Sequence, residues 1–401
     1  MDAASIEALQ DDPGVSLLEQ ACAAYGHEDP FALGTRLRRT YPADLVATAL
    51  TQAELRAKAT VRFDPADAAR MFFTVDGYEQ ASRTSVARRR AQTLRNRIGN
   101  AATVADLCCG VGGDTIELAR AGLNVVAVDT DSVALAAATA NVRALGLAER
   151  VELRHADVTT MPLAPFDAVF CDPARRSADG RSHRTFRVED YRPAWSFVQT
   201  LLEGPAVVKA GPGIPHRLIP DGAHAEWISE GGTVLEATLW SADLSGADGG
   251  SAAGRSATVL PAKVSLTDDG SPVDVGEPGA YLYEPDGAVI RAGLVTTAAD
   301  LVDGWLLDPT IAYIGSDTLR HTPFTRAYRV RQVVPLDRRA LRRRLAELDV
   351  GELVVKKRGV DLDPHELRRE LRPSGNQALT LVATRVDGQV RALLVDPVTP
   401  P

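Results

Sequence analysis

Cysteine, histidine and long apolar runs are scarce in this sequence, and each shortage excludes a class of protein. The four cysteines (Cys22, Cys108, Cys109 and Cys171) have neither metal-ligand spacing nor the pattern of a disulfide framework. The seven histidines include no pair separated by three residues, so the sequence predicts no metal site. No apolar run approaches the ~20 residues that span a membrane. We therefore expect a protein without metal, disulfides or membrane helices.

The first residues, Met1–Glu7, lack the basic start and apolar core of a secretory signal, which indicates a cytoplasmic protein. Hydrophobic residues make up 45% and charged residues 24% of the chain, and both values are ordinary for globular proteins. A chain of 401 residues is long enough for two or three domains. Composition thus predicts a multidomain globular protein and leaves its chemistry open.

Lysine is also rare, since only five of the 45 basic residues are lysines. The net charge of −8 conceals an asymmetry. Between Arg326 and Arg372 there are 14 basic and 8 acidic residues, whereas between Ser241 and Asp317 there are 12 acidic and 3 basic residues. A basic module on an acidic body is one signature of nucleic-acid binding, and a solvated helix face is the alternative interpretation.

A glycine turn between a predicted strand and a predicted helix carries the most specific motif. The strand contains Asp106, and the turn contains Gly110, Gly112 and Gly113. A dinucleotide-binding turn needs a third glycine, where this chain has Thr115. Acid-x-x-x-Gly-x-Gly is instead typical of proteins that bind S-adenosylmethionine (SAM), because the acid can meet the cationic methionine part. The motif predicts Asp106 and the three glycines as cofactor-binding residues.

Three further predicted strands also end in acidic residues. Asp129 ends the second strand, where a carboxylate can accept hydrogen bonds from both ribose hydroxyls. Asp157 ends the third, where methyltransferases commonly hold the adenine amino group, and Asp172 followed by Pro173 ends the fourth, where this class places its reaction centre. Surface turns that happen to contain aspartate would explain any one of these acids, but the set predicts a SAM site.

These motifs resemble those of class I SAM-dependent methyltransferases, and the glycine turn is similar to that of trimethylguanosine-synthase-like enzymes. The upstream run Met71–Ser82 and the downstream run Lys356–Gly359 resemble a narrower bacterial group, methyltransferases with a C-terminal THUMP-like domain. The resemblance extends from about residue 40 onward. It implies an α/β fold: a Rossmann-like seven-stranded class I methyltransferase sheet with an N-terminal helical region and a small C-terminal α/β THUMP-like domain.

The resemblance, together with helical and strand periodicity, implies four regions. They are an N-terminal helical region (1–98), a methyltransferase domain (99–265), a bridging segment packed on the catalytic domain (266–324) and the THUMP-like domain (325–401). We expect the fifth, sixth and seventh strands of the methyltransferase sheet at 205–209, 233–240 and 256–260, with the seventh antiparallel. Lys209 ends the fifth strand beside the cleft, as a compact cation needed there or as an ordinary surface lysine.

The expected catalytic residues are Asp172, Pro173 and Arg175. Asp172 can accept a hydrogen bond from an exocyclic amine or hydroxyl and direct its lone pair toward the methyl group, and Pro173 stiffens the turn. Trimethylguanosine synthases continue this motif with Pro-Trp-Gly-Gly, whereas this chain continues with Ala174-Arg175-Arg176. Guanidinium groups can stack on bases and bind phosphate, and they equally suit an acidic small molecule.

Several functions therefore remain open at the level of the sequence. The first is an RNA methyltransferase modifying a base nitrogen, with tRNA or rRNA bound through Arg342, Arg343, Lys356 and Lys357. The second is a methyltransferase for a protein or small molecule, with the C-terminal module as a scaffold or dimerisation unit. A catalytically silent SAM-binding regulator is the third, and a dinucleotide oxidoreductase is the last. The oligomeric state is not predicted.

Overall fold

A computed structural model describes residues 1–175, 190–245, 254–267 and 272–399. The chain divides into two compact units. The first comprises Met1–His224 and Thr238–Ala253, and the second comprises Ala225–Ala237 and Gly254–Pro401. In the described part of the chain, no helix is both long and apolar enough to cross a membrane.

Seven helices precede the first strand. They are α1 (Ala3–Ala8), α2 (Gly14–Ala24), α3 (Pro30–Leu37), α4 (Ala43–Ala59), α5 (Pro65–Ala68), α6 (Val75–Gln80) and α7 (Thr84–Ile98). The start of α3 shows why they form here: the Asp29 side chain accepts the N–H groups of Phe31 and Ala32, and proline takes the first helical position. Apolar side chains such as Leu33 and Val46 pack into a common core. The predicted N-terminal helical region is confirmed.

The following elements alternate between strand and helix. They are β1 (Thr103–Leu107), α8 (Gly113–Arg120), β2 (Asn124–Asp129), α9 (Ser132–Ala144), β3 (Val151–His155), β4 (Ala168–Cys171), β5 (Ala174–Arg175), β6 (Tyr191–Arg192), α10 (Trp195–Leu201), β7 (Ala206–Ala210), β8 (His224–Glu230) and β9 (Thr233–Trp240). Five strands lie side by side in the order β7-β4-β1-β2-β3, and all their pairings are parallel. Strands β1, β2, β4 and β7 are almost entirely buried, which suits a sheet that helices cover on both faces, whereas the edge strand β3 is mostly not buried.

Strands β8 and β9 continue the order to β3-β2-β1-β4-β7-β9-β8. This gives the seven strands expected from the sequence, but the predicted sixth and seventh strands were misassigned. The sixth is β8, for which the sequence predicted no strand, and 233–240 supplies the next strand, β9. Buried Glu226 and Ser229 interrupt the apolar run of β8, which explains why its pattern did not indicate a strand.

The remaining elements belong to the second unit. They are β10 (Gly254–Leu260), β11 (Val264–Thr267), β12 (Tyr281–Pro285), α11 (Gly287–Ala292), α12 (Val295–Asp300), β13 (Trp305–Asp308), β14 (Ile311–Ser316), β15 (Thr325–Pro335), α13 (Arg338–Glu347), β16 (Val350–Lys357), α14 (Pro364–Leu371), β17 (Gln377–Val386) and β18 (Gln389–Pro397). Strand β10 lies between β8 and β11, so the segment predicted as the seventh strand extends the sheet beyond seven.

A separate seven-stranded sheet has the order β13-β14-β12-β15-β18-β17-β16. Helices α13 and α14 cover it with buried leucines, among them Leu341 and Leu367. Asp387 and Gly388 both have positive φ at the turn between β17 and β18, as is common for an Asp-Gly pair in a two-residue hairpin turn. The predicted α/β character of the C-terminal region is confirmed.

The prediction that 266–324 is a bridge packed on the catalytic domain is wrong for its strands. Strands β12, β13 and β14 fall in this range and belong to the C-terminal sheet. In particular, Leu282 of β12 pairs with Tyr328 of β15. Such a pairing joins residues far apart in the chain, so local periodicity carries no signal for it. The other predicted boundaries remain predictions.

Candidate active site

A cleft of about 1040 Å³ opens at the carboxyl ends of β1, β2 and β4. This edge is where open α/β sheets bind ligands. Six predicted site residues line it, namely Asp106, Gly110, Gly113, Asp129, Asp157 and Asp172. Gly112 and Pro173, which were also predicted, do not line the cleft. Arg175 forms part of β5, and the arginine-rich loop that follows it, 176–189, lies outside the described residues.

The glycine turn requires left-handed backbone. Gly110 has φ +55° and Gly112 has φ +83°, a conformation that residues with a Cβ rarely adopt. A Cβ on Gly112 would also lie 3.4 Å from the Cβ of Ala138 in α9. The N–H of Gly110 donates to the carboxylate of Asp129 at 2.8 Å. Gly112 thus allows the turn to pack against α9, while the hydrogen bond of Gly110 connects the turn to the end of β2.

Asp106 is fully buried beneath the turn. One of its carboxylate oxygens accepts a hydrogen bond from the hydroxyl of Thr115, the residue at the third-glycine position. The other oxygen, Oδ1, has no hydrogen-bond partner within the described protein. Burial, assisted by the negative charge of Asp114, raises the pKa of Asp106 to about 8. A buried acid with an unsatisfied oxygen at the wall of a cleft is suited to a cationic ligand.

Asp129 and Asp157 lie at the carboxyl ends of the neighbouring strands β2 and β3. Besides the N–H of Gly110, Asp129 accepts the N–H of Asp131 at 2.9 Å. Asp157 accepts the N–H and hydroxyl of Thr159 at 2.9 and 2.7 Å. The hydroxyl, followed by the N–H, lowers the pKa of the Asp157 carboxyl. Both acids therefore have fixed carboxylates on the cleft wall.

Asp172 follows β4 and forms an ion pair that the sequence did not predict. Its backbone N–H donates to the carbonyl of Leu107 at 3.1 Å, which places it beside the end of β1. The Lys209 ammonium at the end of β7 lies 2.6 Å from Asp172 Oδ2 and donates to the carbonyl of Gln80 at 2.9 Å. The position of Lys209 beside the cleft was expected, but neither partner was.

A segment before the first strand, residues 71–82, forms one wall of the cleft, and we call it the α6 strap. The Asn141 side chain donates to the carbonyls of Phe72 and Val111, both at 2.9 Å, and accepts the N–H of Phe72 at 2.6 Å. Gly77 packs directly on the glycine turn, because a Cβ there would lie 2.4 Å from Val111 Cγ1. The sequence pointed to this segment only through its resemblance to a family.

A buried arginine links the strap to the helix after the glycine turn. Arg90 of α7 is 2% exposed although it is charged. It lies 2.6 Å from Asp114 Oδ1 and donates to Ser82 Oγ at 2.9 Å, and its guanidinium stacks on Phe170. Although burial opposes ionisation, Arg90 and Lys209 lower the pKa of Asp114.

The four predicted RNA-binding cations of the second unit differ in their surroundings. Arg342, Arg343 and Lys357 are exposed. Lys356 is not, since its ammonium lies 2.5 Å from Glu284 Oε2 and over the ring of Tyr328. Lys356 is thus only partly exposed because it pairs with a residue 72 positions away in the sequence, a contact that local sequence cannot indicate. Among the described residues, no group of three His, Cys, Asp or Glu side chains could hold a metal ion.

Sequence families match three parts of the chain. Residues 104–184 match a methyltransferase domain, residues 325–397 match a THUMP domain-like family, and residues 2–59 match a domain of unknown function. A 23S rRNA (uracil(1939)-C(5))-methyltransferase of Acidithiobacillus ferrooxidans is 32% identical over 124 residues, 29% of this chain and 26% of that protein. This similarity is confined to a minor part of both proteins.

Two relatives match most of the chain. A crystal structure of a Porphyromonas gingivalis W83 protein superimposes with a TM-score of 0.76 at 20% identity, covering 96% of this chain and 99% of that one. This confirms the fold. An uncharacterized S-adenosylmethionine-dependent methyltransferase of Mycobacterium tuberculosis is 39% identical over 321 residues, 78% of this chain and 84% of the relative. The chain therefore belongs to the S-adenosylmethionine-dependent methyltransferases, with a THUMP-like domain at its C-terminus.

Proposed function

We propose that this enzyme methylates a nitrogen of an RNA base and that Asp172 holds the acceptor. The observation that carries the proposal is the position of Asp172. It lies at the end of β4, in the same cleft as the glycine turn and Asp129, and Lys209 fixes its carboxylate. Cofactor and acceptor groups bound in one cleft can be aligned for in-line transfer.

The cofactor-side residues fit SAM. The unsatisfied Oδ1 of Asp106 would meet the cationic methionine part, Asp129 would accept from the ribose hydroxyls, and Asp157 would accept from the adenine amino group. The backbone of Gly110 and Gly113 allows close approach. When bound, the cofactor supplies a methyl group that the sulfonium makes electrophilic.

On the acceptor side, Asp172 accepts a hydrogen bond from an exocyclic amine and orients its lone pair. The bound cofactor would supply the methyl group to this nitrogen, and Asp172 could accept the proton that the nitrogen then loses. Pro173 is buried directly after Asp172 and limits its backbone freedom. We also propose Arg175, a residue of β5, as a contact for the acceptor's base or phosphate.

The C-terminal unit supports RNA as the partner. It carries the THUMP-like domain, and Arg342, Arg343 and Lys357 present exposed positive charge. A partial relative acts on 23S rRNA, as its name states. Cations on the surface bind phosphates and release counterions, so they contribute affinity without base specificity. We propose tRNA or rRNA as the class of acceptor.

The charge of the cleft favours a second candidate, an amine-bearing small molecule or protein side chain. The charged side chains among the described lining residues are mostly acidic: eight are aspartates, including Asp76, Asp131 and Asp190, and Arg192 is the one basic residue. Such a cleft attracts cations. A neutral base amine also fits, because its phosphate could remain outside the cleft.

Labelling with tritiated SAM distinguishes the two candidates. The purified enzyme is incubated with total RNA from a strain that lacks the protein and, separately, with protein and small-molecule extracts of that strain. Label in RNA that is absent with Asp172→Asn supports the proposal. Label only in another fraction assigns the second candidate instead.

A further inference from the structure

We infer that Lys209 is a positioning residue that holds the Asp172 carboxylate at a fixed position relative to the α6 strap. The inference rests on the proposed role of Asp172 and adds a residue that no sequence motif assigned. Lys209 ends β7, and Asp172 follows β4, the strand that pairs with β7. The two side chains thus meet at neighbouring strand ends, beside the cleft that Asp172 lines.

The ammonium of Lys209 has two partners on different elements. It lies 2.6 Å from Asp172 Oδ2 and 2.9 Å from the carbonyl oxygen of Gln80, the last residue of α6. The side chains of Lys209 and Asp172 are 14% and 25% exposed. An ion pair that is largely shielded from water keeps its geometry better than an exposed one. Lys209 therefore ties the carboxylate to a backbone atom of the strap.

The strap is itself tied to the cofactor side of the cleft. Asn141 bonds both Phe72 of the strap and Val111 of the glycine turn, and Gly77 packs on Val111. A continuous set of contacts thus leads from the glycine turn through the strap to Lys209 and Asp172. Because in-line transfer depends on the relative position of methyl group and acceptor, this connection sets the geometry that Asp172 needs.

Electrostatics gives Lys209 a second effect on the same carboxylate. Asp106, Asp114 and Asp190 line the same cleft, and each disfavours another negative charge nearby. Arg192 is the basic residue among the described lining residues. An ammonium in direct contact with Asp172 offsets this repulsion and favours the ionised carboxylate, which is the stronger hydrogen-bond acceptor.

The test compares Lys209→Met and Lys209→Arg in the full chain, with Lys58→Met as the matched control. Lys58 pairs with Glu54 at 2.5 Å in the same unit but is 53% exposed. Methyl transfer is measured with total RNA from a strain that lacks the protein. For Lys209→Met we expect kcat to fall by about a hundredfold while KM for SAM is unchanged. Lys209→Arg keeps the charge and should recover part of kcat, whereas Lys58→Met should resemble the wild type.

A second measurement needs no substrate, because NMR can follow the titration of the Asp172 carboxylate directly. In protein labelled with ¹³C at aspartate Cγ, the Asp172 signal is identified by its absence in Asp172→Asn. We expect it to titrate about one pH unit or more higher in Lys209→Met than in the wild type, because an opposite charge has been lost. If Lys209→Met does not melt cooperatively, Lys209→Arg is compared with Lys209→Gln. The Asp172 signal must then titrate at a lower pH in the arginine variant, and that variant must have the higher kcat.

The outcomes separate this inference from the proposed function. Wild-type kcat in Lys209→Met, with transfer abolished in Asp172→Asn, overturns the positioning role and leaves the proposed function intact. Equal losses in Lys209→Arg and Lys209→Gln also overturn it. If the wild type transfers no methyl to RNA, the proposed function fails. The NMR titration then decides the role of Lys209. If the Asp172 signal titrates at the same pH in Lys209→Met and in the wild type, the positioning role is contradicted.

Discussion

The hydroxyl of Thr115 donates a hydrogen bond to Asp106 at the position where a dinucleotide-binding turn has its third glycine. The substitution that argued against a dinucleotide thus has a structural role, since it satisfies one oxygen of a buried acid. The other oxygen has no partner in the described protein. This pair leaves one oxygen of a cleft-lining acid available to a cationic ligand.

Cofactor binding should depend on pH through Asp106. Its pKa is raised to about 8, so the carboxyl is largely neutral at pH 6 and must ionise to pair with a cation. Affinity for SAM should therefore rise by up to about tenfold per pH unit until pH 8. Calorimetry between pH 6 and pH 9 measures this, and Asp106→Asn should bind weakly without that slope. A flat profile in the wild type would contradict the role of Asp106.

The same shift predicts the stability of the protein without cofactor. A raised acid pKa means that the folded state retains a proton that the unfolded state releases above its ordinary value of 3.8. The contribution of Asp106 to the free energy of unfolding should thus fall as pH rises from about 4 to about 8. Urea unfolding should show a smaller pH-dependent loss in Asp106→Asn than in the wild type. Identical pH dependence in both would show that Asp106 does not titrate as described.

Asp129 should dominate recognition of the ribose. Asp129→Ala removes charge-assisted hydrogen bonds worth ~1.5–3 kcal/mol each, and it also releases the N–H of Gly110. SAM affinity should therefore fall by a few kcal/mol in calorimetry. Asp131→Asn, which alters the adjacent acid, provides the control and should have a smaller effect. Unchanged affinity in Asp129→Ala would exclude the ribose assignment.

A methyl group at Gly77 should displace the α6 strap. In Gly77→Ala the new Cβ would lie 2.4 Å from Val111 Cγ1 and 2.6 Å from Thr74 Oγ1. Such overpacking costs typically ~1–3 kcal/mol, and we expect lower SAM affinity as well because Val111 belongs to the glycine turn. Gly204→Ala is the control, since a Cβ there has no neighbour within 4 Å. Equal denaturant midpoints for the two variants would contradict the packing described.

RNA binding by the C-terminal unit should depend steeply on salt. For single-stranded RNA, the logarithm of the binding constant should fall with the logarithm of the salt concentration, with a slope of about −0.7 per contacted phosphate. Charge reversal of Arg342, Arg343 and Lys357 should lower both the slope and the affinity while SAM binding is retained. Lys356 is left unchanged because it pairs with Glu284. Binding that ignores salt, or that survives the triple reversal, would favour a scaffold or dimer interface.

Local patterns predicted the parts of the site that lie within single strand–turn–helix units. Asp106, Asp129, Asp157 and Asp172 each lie at or just beyond the carboxyl end of a strand, and parallel strands bring these ends to one edge of a sheet. The sequence therefore located the cleft and the acids that line it. Similarly, α13 and α14 have side-chain caps at Asp337 and Asp363 and leucines at helical spacing, and both are local properties that a sequence can show.

Contacts between distant parts of the chain could not be predicted. Lys209 meets the carbonyl of Gln80 across 129 residues, and Arg90 is buried because Asp114 and Ser82 surround it. Neither pairing changes the local pattern of its helix or strand. The same holds for β12 and Lys356, whose environments depend on how a sheet pairs and curves. Conclusions about which cations are exposed therefore needed the structure.

The central claim is methylation of an RNA base nitrogen with Asp172 at the acceptor. It is tested most directly with SAM carrying a deuterated methyl group and total RNA from a strain that lacks the protein, followed by mass spectrometry of the nucleosides. We predict one nucleoside that gains a deuterated methyl on a base nitrogen with the wild type and not with Asp172→Asn. Label on ribose or on carbon, equal labelling by the variant, or no label in RNA would contradict the account.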